Sequence, residues 1–228
     1  MNSMISEKQL AAEAAVEYVK DGMIVGLGTG STTEFAVKKL GEKVRNGLAI
    51  KGIPTSVVTK KLAEEEAIPL IDFSETMYID ITIDGADEID KDLNMIKGGG
   101  GALLREKIVA SVSREEIIIV SSEKFVNQLG SFPLPVEVIP FGWQVIFNQL
   151  ETMGGSPDLR LNQGQPLLTD QGNYILDCRF RQIIDAVQLE QRLNMIPGVV
   201  ENGLFTALCS RMIMADGEKI VVKELGKC

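Results

Sequence analysis

Asp84-Gly-Ala-Asp87, Lys97-Gly-Gly-Gly-Gly101 and Glu106 set three carboxylates and one ammonium around a run of glycines. Carboxylates can move protons and a lysine can hold an oxyanion. Glycines admit the positive-φ geometry that turns bare N–H groups toward a ligand. The combination is equipment for proton transfer on a small polar molecule. The chain has no histidine, so Ser-His-Asp, Cys-His and His-metal sites are excluded, and acid–base work falls to a carboxylate, lysine, tyrosine or cysteine.

Glu106 carries the sharpest local argument. If residues 102–112 are helical, its neighbours one turn away are Ala102, Leu103, Val109 and Ala110, none of which can pair with a charge. Burial raises a carboxyl pKa by up to about 3–5 units, whereas a helix N-terminus stabilises the anion by only about 0.3–1 kcal/mol. Desolvation wins, and a raised pKa suits a general base working near neutrality. A core-edge glutamate bonded to backbone is the plainer alternative.

Two further segments offer sites. Gly26-Leu-Gly-Thr-Gly30-Ser31 lies between a predicted strand and a predicted helix N-terminus, where exposed N–H groups and the helix dipole favour an anion. Thr29, Ser31 and Thr32 add hydroxyls. The loop is no Walker motif. It is a poor dinucleotide fingerprint, because Ser31 stands where a third glycine belongs and no acidic residue follows the strand near Ile53. Alone it fits a plain strand–helix turn equally well. Asp84 to Asp87 follows a predicted strand over 77–83, the end at which ligands bind in open parallel sheets. With Glu88, Asp90 and Asp92 behind it, it also reads as a solvated acidic turn. The spacing fits no calcium loop and offers no nitrogen or sulfur ligand, so no metal site is expected. Lys97 and Gly98 to Gly101 precede the helix of Glu106 and make a second anion-friendly N-terminus.

The surrounding elements must position these groups. Ser6 and Gln9 open a helix, and Ser31 with Glu34 predicts a second capping box. Strands are predicted over 23–27, 48–53, 68–73, 77–83 and 117–121, with helices over 57–67 and 102–112. This alternation argues for an α/β, Rossmann-like parallel sheet wrapped by helices. Beyond Phe132-Pro-Leu-Pro135 the order is strand, helix, strand, strand, helix, strand, that of a smaller ferredoxin-like α+β domain. The tail from Met212 to Leu225 predicts a hairpin, turning at Asp216-Gly217, that returns to the first domain. The expected domains are residues 1–131 with 207–228, and 132–206.

Of the 228 residues 45% are apolar, enough for one large or two small domains, and the net charge is -9. Such a surface repels nucleic acid and anionic lipid, and any phosphate must be met by a local positive island. Cys178, Cys209 and Cys228 are odd in number and lack CxxC spacing, as expected of reduced thiols in a cytoplasmic protein. No signal peptide or membrane span is expected.

The motifs together resemble the type A ribose-5-phosphate isomerase family. Gly26 to Thr32, Asp84-Gly-Ala-Asp-Glu-Ile89, Ile96-Lys-Gly-Gly-Gly100, Leu104-Arg-Glu-Lys-Ile108, Phe132 to Pro140 and Ile196-Pro-Gly-Val-Val200 stand in the family's order. The resemblance runs from about Ala11 to Val222. It implies cofactor-free and metal-free interconversion of D-ribose 5-phosphate and D-ribulose 5-phosphate in the pentose phosphate pathway, by a homodimer or homotetramer. It implies Glu106 as base and Asp84, Asp87 and Lys97 as catalytic partners. The substrate contacts it implies are Thr29, Gly30, Ser31, Thr32, Asp84, Gly85, Ala86, Asp87, Lys97, Gly98, Gly99, Gly100 and Lys124. Gly142-Trp143 is less usual for the family and places Trp143 in small-domain or subunit packing. The rival reading is a non-catalytic sugar-phosphate sensor domain of similar fold, which would want a DNA-binding segment and would not need Glu106 in an apolar helix.

Overall fold

The computed structural model describes residues 6–224; Cys228, expected to do nothing beyond oxidise, lies outside them. In chain order the elements are α1 (Glu7–Val16), β1 (Ile24–Leu27), α2 (Thr33–Arg45), β2 (Lys51–Pro54), α3 (Val57–Glu65), β3 (Ile81–Gly85), β4 (Glu88–Ile89), β5 (Met95–Ile96), α4 (Leu103–Ser111) and β6 (Glu116–Ser121). There follow β7 (Leu134–Val138), α5 (Trp143–Thr152), β8 (Ser156–Leu159), β9 (Leu161–Asn162), β10 (Gln165–Pro166), β11 (Tyr174–Arg179), α6 (Ala186–Asn194), β12 (Val199–Asn202), β13 (Leu204–Phe205), β14 (Arg211–Asp216) and β15 (Lys219–Glu224). The described chain divides into two compact units. One runs to Ala86 and resumes over Arg105–Phe125 and from Leu208; the other holds Asp87–Leu104 and Val126–Ala207.

The first unit is built on a six-stranded sheet in the order β15-β14-β6-β3-β1-β2. All neighbours are parallel except the antiparallel β14–β15 hairpin. Every residue of β6 is buried, as expected of a strand covered on both faces. Strand alternation sorts the side chains. Val25, Leu27, Ile81 and Ile83 join Ala11, Ala15, Val37 and Leu40 of α1 and α2 in one core. On the other face Val109 of α4 packs with Ile53 and Ile79. A Cβ on Gly26 would stand 2.8 Å from the Val109 side chain, so the glycine lets α4 lie directly on β1.

Several predicted elements differ. Residues 68–73 form only an isolated bridge, Leu70 to Gly52, because Pro69 brings no N–H to the ladder. The strand predicted over 77–83 starts at Ile81, and Ile79 makes a single bridge to Ser113. α2 begins at Thr33 rather than being capped by Ser31: its N-cap, Thr32, makes no side-chain cap bond. Ser6 does cap α1, accepting from the Gln9 N–H at 3.3 Å.

In the second unit β12-β7-β11-β8 form an antiparallel sheet, the strand order of a ferredoxin-like fold, with α5 and α6 packed on Val136, Val138 and Leu176. Trp143 stacks edge-on to Phe147 at 6.1 Å and packs on this core. The last strand of the order predicted beyond Phe132-Pro-Leu-Pro135 is two strands, β12 and β13. Gly203 lies between them, where a Cβ would meet the Lys97 carbonyl at 2.4 Å, and β13 pairs with β5 beside β4.

Glu137 of β7 is 1% exposed. Its Oε1 accepts from Thr169 (2.8 Å) and Asn173 (2.9 Å), while Oε2 has no partner among the described residues. Burial pushes its carboxyl pKa up, against the pull of those two donors, and nearby Glu201 and Asp170 add to the rise. The folded state therefore binds more protons than the unfolded one between the ordinary and the raised value, and stability falls as pH rises through that window. Glu137→Gln is expected to raise Tm near neutral pH and to give no gain at about pH 3, where both states are protonated. Thermal melts of both proteins across pH check this.

Candidate active site

In the first unit the loops after β1, β2, β3 and β6 leave the sheet at the same edge, because these strands are parallel. This is the edge at which open α/β sheets bind ligands. The first loop, Gly28-Thr-Gly30, is anchored from three sides. The Gly28 N–H donates to the Ile83 carbonyl (3.0 Å) and the Thr29 N–H to Asp84 Oδ1 (3.1 Å). The Thr29 hydroxyl lies 2.7 Å from that of Thr55, 2.9 Å from Ser56 and 3.0 Å from Thr59. The Thr29 hydroxyl is thus turned into this hydroxyl cluster, while its N–H is held by Asp84. Gly30 takes φ +124°, and its carbonyl accepts from Thr33 Oγ1 at 2.8 Å as α2 begins. Gly30 and Ser31 are exposed at that helix N-terminus.

Lys8 of α1 completes this corner. Its ammonium donates to Ser31 Oγ at 2.8 Å, placing a positive charge beside the α2 N-terminus on an otherwise acidic protein. The sequence reading missed it, as it missed Thr55, Ser56 and Thr59. The Lys8–Ser31 contact spans 23 residues and has no local signature.

Asp84 is 1% exposed and belongs to β3 rather than following it. It points, like Thr82, to the face covered by α4, and its Oδ1 also accepts from the Gly85 N–H at 2.7 Å. Gly28 sits against it: a Cβ there would fall 2.3 Å from Asp84 Cγ. Glu106, 4% exposed, shares the sheet-facing side of α4 with Val109 and Ala110. α4 runs counter to the strands, with Ser113 bonded to Thr82 (2.7 Å) and Val109 over Gly26. Glu106 therefore lies about 4.5 Å nearer the carboxyl ends than Val109, toward Gly28 and Asp84. Two buried carboxylates thus face the same layer. Lys124 follows β6, partly exposed, its ammonium 4.0 Å from Glu123.

The second unit carries the remaining groups. Lys97 is 2% exposed; its N–H donates to the Gly203 carbonyl (2.9 Å) and its ammonium lies 5.4 Å from the Phe205 ring centre. Asp87 Oδ2 accepts from the Gly99 N–H at 2.7 Å. Gly98 and Gly101 adopt φ +100° and +79°, and Gly99 and Gly100 are exposed. Among the described residues no group of three or more His, Cys, Asp or Glu is gathered to hold a metal ion.

Comparison with known proteins points one way. Residues 51–219 match the family model of ribose 5-phosphate isomerase A (phosphoriboisomerase A). The ribose-5-phosphate isomerase A of Gloeobacter violaceus is 56% identical over 211 residues, covering 92% of each chain. That of Bacillus mycoides is 49% identical over 97% of this chain and 100% of its own. Among solved structures, ribose 5-phosphate isomerase A of Methanocaldococcus jannaschii superposes with a TM-score of 0.92 at 43% identity, covering 96% of this chain and 98% of its own. A D-ribose-5-phosphate isomerase in complex with phospho-erythronic acid gives 0.93 at 41% identity, with the same coverage.

Proposed function

The chain belongs to the ribose 5-phosphate isomerase A family, and we propose that its isomerase activity, the interconversion of D-ribose 5-phosphate and D-ribulose 5-phosphate, runs through an enediolate with Glu106 as general base. The observation that carries this is the burial of Glu106 and Asp84 on one face of the sheet, at the edge where the Gly28–Thr32 loop leads into the exposed N-terminus of α2.

In the open-chain aldose the C1 carbonyl acidifies the C2–H. Glu106 takes that proton and returns it to C1. Lys97 and the glycine-loop amides hold the oxyanion, a contribution often worth several kcal/mol. Asp84 and Asp87 move the hydroxyl proton between O1 and O2 and assist ring opening. The phosphate sits at the start of α2 with Gly30, Ser31 and Thr32, opposite Lys8, while Gly85, Ala86 and Lys124 complete the substrate contacts. No cofactor or metal takes part.

Rate in D₂O with EDTA tests the reading. Ribulose 5-phosphate carrying solvent deuterium at C1, formed despite the chelator, supports a metal-free enediolate; loss of the reaction with EDTA, or hydrogen transfer without any solvent exchange under all conditions, counts against it. Lys8→Met is expected to raise KM about 10- to 100-fold with kcat little changed, the worth of one charge-assisted hydrogen bond. Steady-state kinetics checks it, and an unchanged KM removes Lys8 from the phosphate site.

We further place the protein in the cytoplasm, as a homodimer or homotetramer in the pentose phosphate pathway. That Cys178 and Cys209 are free supports the first, since thiols persist unpaired in a reducing compartment; burial pushes the Cys178 thiol up to about 12 and keeps it unreactive. No helix among the described residues is long and apolar enough to cross a membrane. Exposed apolar side chains, Phe141 at 90% foremost, support self-association, which analytical ultracentrifugation reads directly.

A further inference from the structure

We infer that Arg160 is a positioning residue for the isomerisation: paired with Asp177, it locks the peptide planes of the glycine loop so that N–H groups rather than carbonyls face away from it. The inference rests on the reading that this loop's amides stabilise the enediolate.

Arg160 is held as a rigid fork. It follows β8, its N–H donates to the Ile175 carbonyl (2.9 Å) and its carbonyl accepts from the Leu167 N–H (2.9 Å). Its guanidinium makes a two-pronged pair with Asp177, Nε to Oδ2 at 2.8 Å and Nη2 to Oδ1, with both side chains largely buried. Such a planar fork fixes direction as well as charge. The remaining nitrogen, Nη1, donates to the carbonyls of Gly98 (2.9 Å) and Gly99 (3.1 Å).

Those two carbonyls decide where the neighbouring amides point. No peptide is cis among the described residues, so each C=O and the following N–H lie on opposite sides of the chain. With the Gly98 carbonyl on Arg160, the Gly99 N–H must face the other way, and it does, donating to Asp87 Oδ2 at 2.7 Å. With the Gly99 carbonyl also on Arg160, the Gly100 N–H faces that same side. Glycines at 98 to 101 have no Cβ to oppose a peptide flip. A flip at Gly99–Gly100 would present a carbonyl oxygen where a donor is needed, and toward a developing anion that exchange is repulsive. The Gly101 N–H, bonded back to the Gly98 carbonyl at 3.0 Å, closes the turn but leaves the middle peptide to Arg160.

Arg160→Ala is expected to lower kcat about 10- to 100-fold, less than or equal to the loss of a whole oxyanion donor, with KM within about threefold. Millimolar guanidinium chloride should restore part of that rate, and Arg160→Lys should not, since an ammonium cannot bridge Asp177 and two carbonyls together. Gly100→Pro, which deletes the N–H itself, is the companion variant. Loss in Gly100→Pro with a wild-type kcat in Arg160→Ala overturns the clamp and spares the loop-amide reading. Wild-type kcat in both overturns the loop-amide reading and the clamp with it. A fall in kcat that tracks a fall in Tm and is not rescued by guanidinium makes Arg160 structural only and likewise overturns the inference.

Discussion

Glu106→Gln is expected to bind ribose 5-phosphate with near-normal affinity and to lose about 10²- to 10⁴-fold in kcat, the usual worth of a positioned general base. The substitution replaces one oxygen by an NH₂ of the same size and leaves the packing of α4 through Leu103, Val109 and Ala110 in place. In the proposed site, binding energy comes from the phosphate corner and the hydroxyl contacts, which the change does not touch, so the loss should fall on kcat and kcat/KM alike, with KM steady. Glu106→Asp gives the geometric counterpart. It keeps the carboxylate but withdraws it by one methylene, and a misplacement of about 1 Å can cost about 10²-fold. Calorimetric titration with ribose 5-phosphate, a thermal melt and steady-state kinetics on both variants separate these effects. A Gln variant with near-normal kcat would remove Glu106 as the base.

The parallel sheet and the strand–helix order beyond Phe132 were legible because burial wrote them into the residue pattern, whereas the grouping of Asp87–Leu104 with the small unit was not. Ile117 to Val120 is an unbroken apolar run because β6 is covered on both faces, and the order from β7 to β12 follows from periodicity and turn residues. The carboxylates and glycines were legible because their types are informative without partners. What failed to show was long-range. Residues 68–71 have strand composition, but Pro69 and the edge position reduce them to one bridge. β5 and β13 are two residues each and exist only because they pair across the chain. Ser31 looked like a helix cap and is instead bonded to Lys8, and the cluster of Thr55, Ser56 and Thr59 around the Thr29 hydroxyl had no local signature. In each case a tertiary partner outbid a local preference.

Gly28→Ala is expected to cost both activity and stability, out of proportion to one methyl group. The added Cβ would stand 2.3 Å from Asp84 Cγ and Oδ1 and 2.6 Å from the Asp84 backbone Cα, far inside van der Waals contact. Rotating the Asp84 side chain cannot relieve a clash with its own Cα, so β1 and β3 must separate at their carboxyl ends or the loop must lift. Either response breaks the Gly28 N–H bond to the Ile83 carbonyl (3.0 Å) and the Thr29 N–H bond to Asp84 (3.1 Å). Overpacking of this kind typically costs about 1–3 kcal/mol. The kinetic effect should be larger, because the same shift moves the proposed relay carboxylate, Asp84, and the proposed phosphate loop together. A loss of about 10²-fold or more in kcat/KM is expected from a displacement on the order of 1 Å, with kcat and KM both affected, unlike Lys8→Met, which should move KM alone. The wild-type spacing is thus a requirement for bare backbone at this one position, since Gly30, with φ +124° and its nearest atom 3.8 Å from a built Cβ, is a glycine for its conformation and not for lack of room. Kinetics and a melt of Gly28→Ala decide it: a variant with wild-type Tm and kcat/KM would mean that the loop and Asp84 can part without consequence, and Asp84 would lose its place in the proposed proton relay.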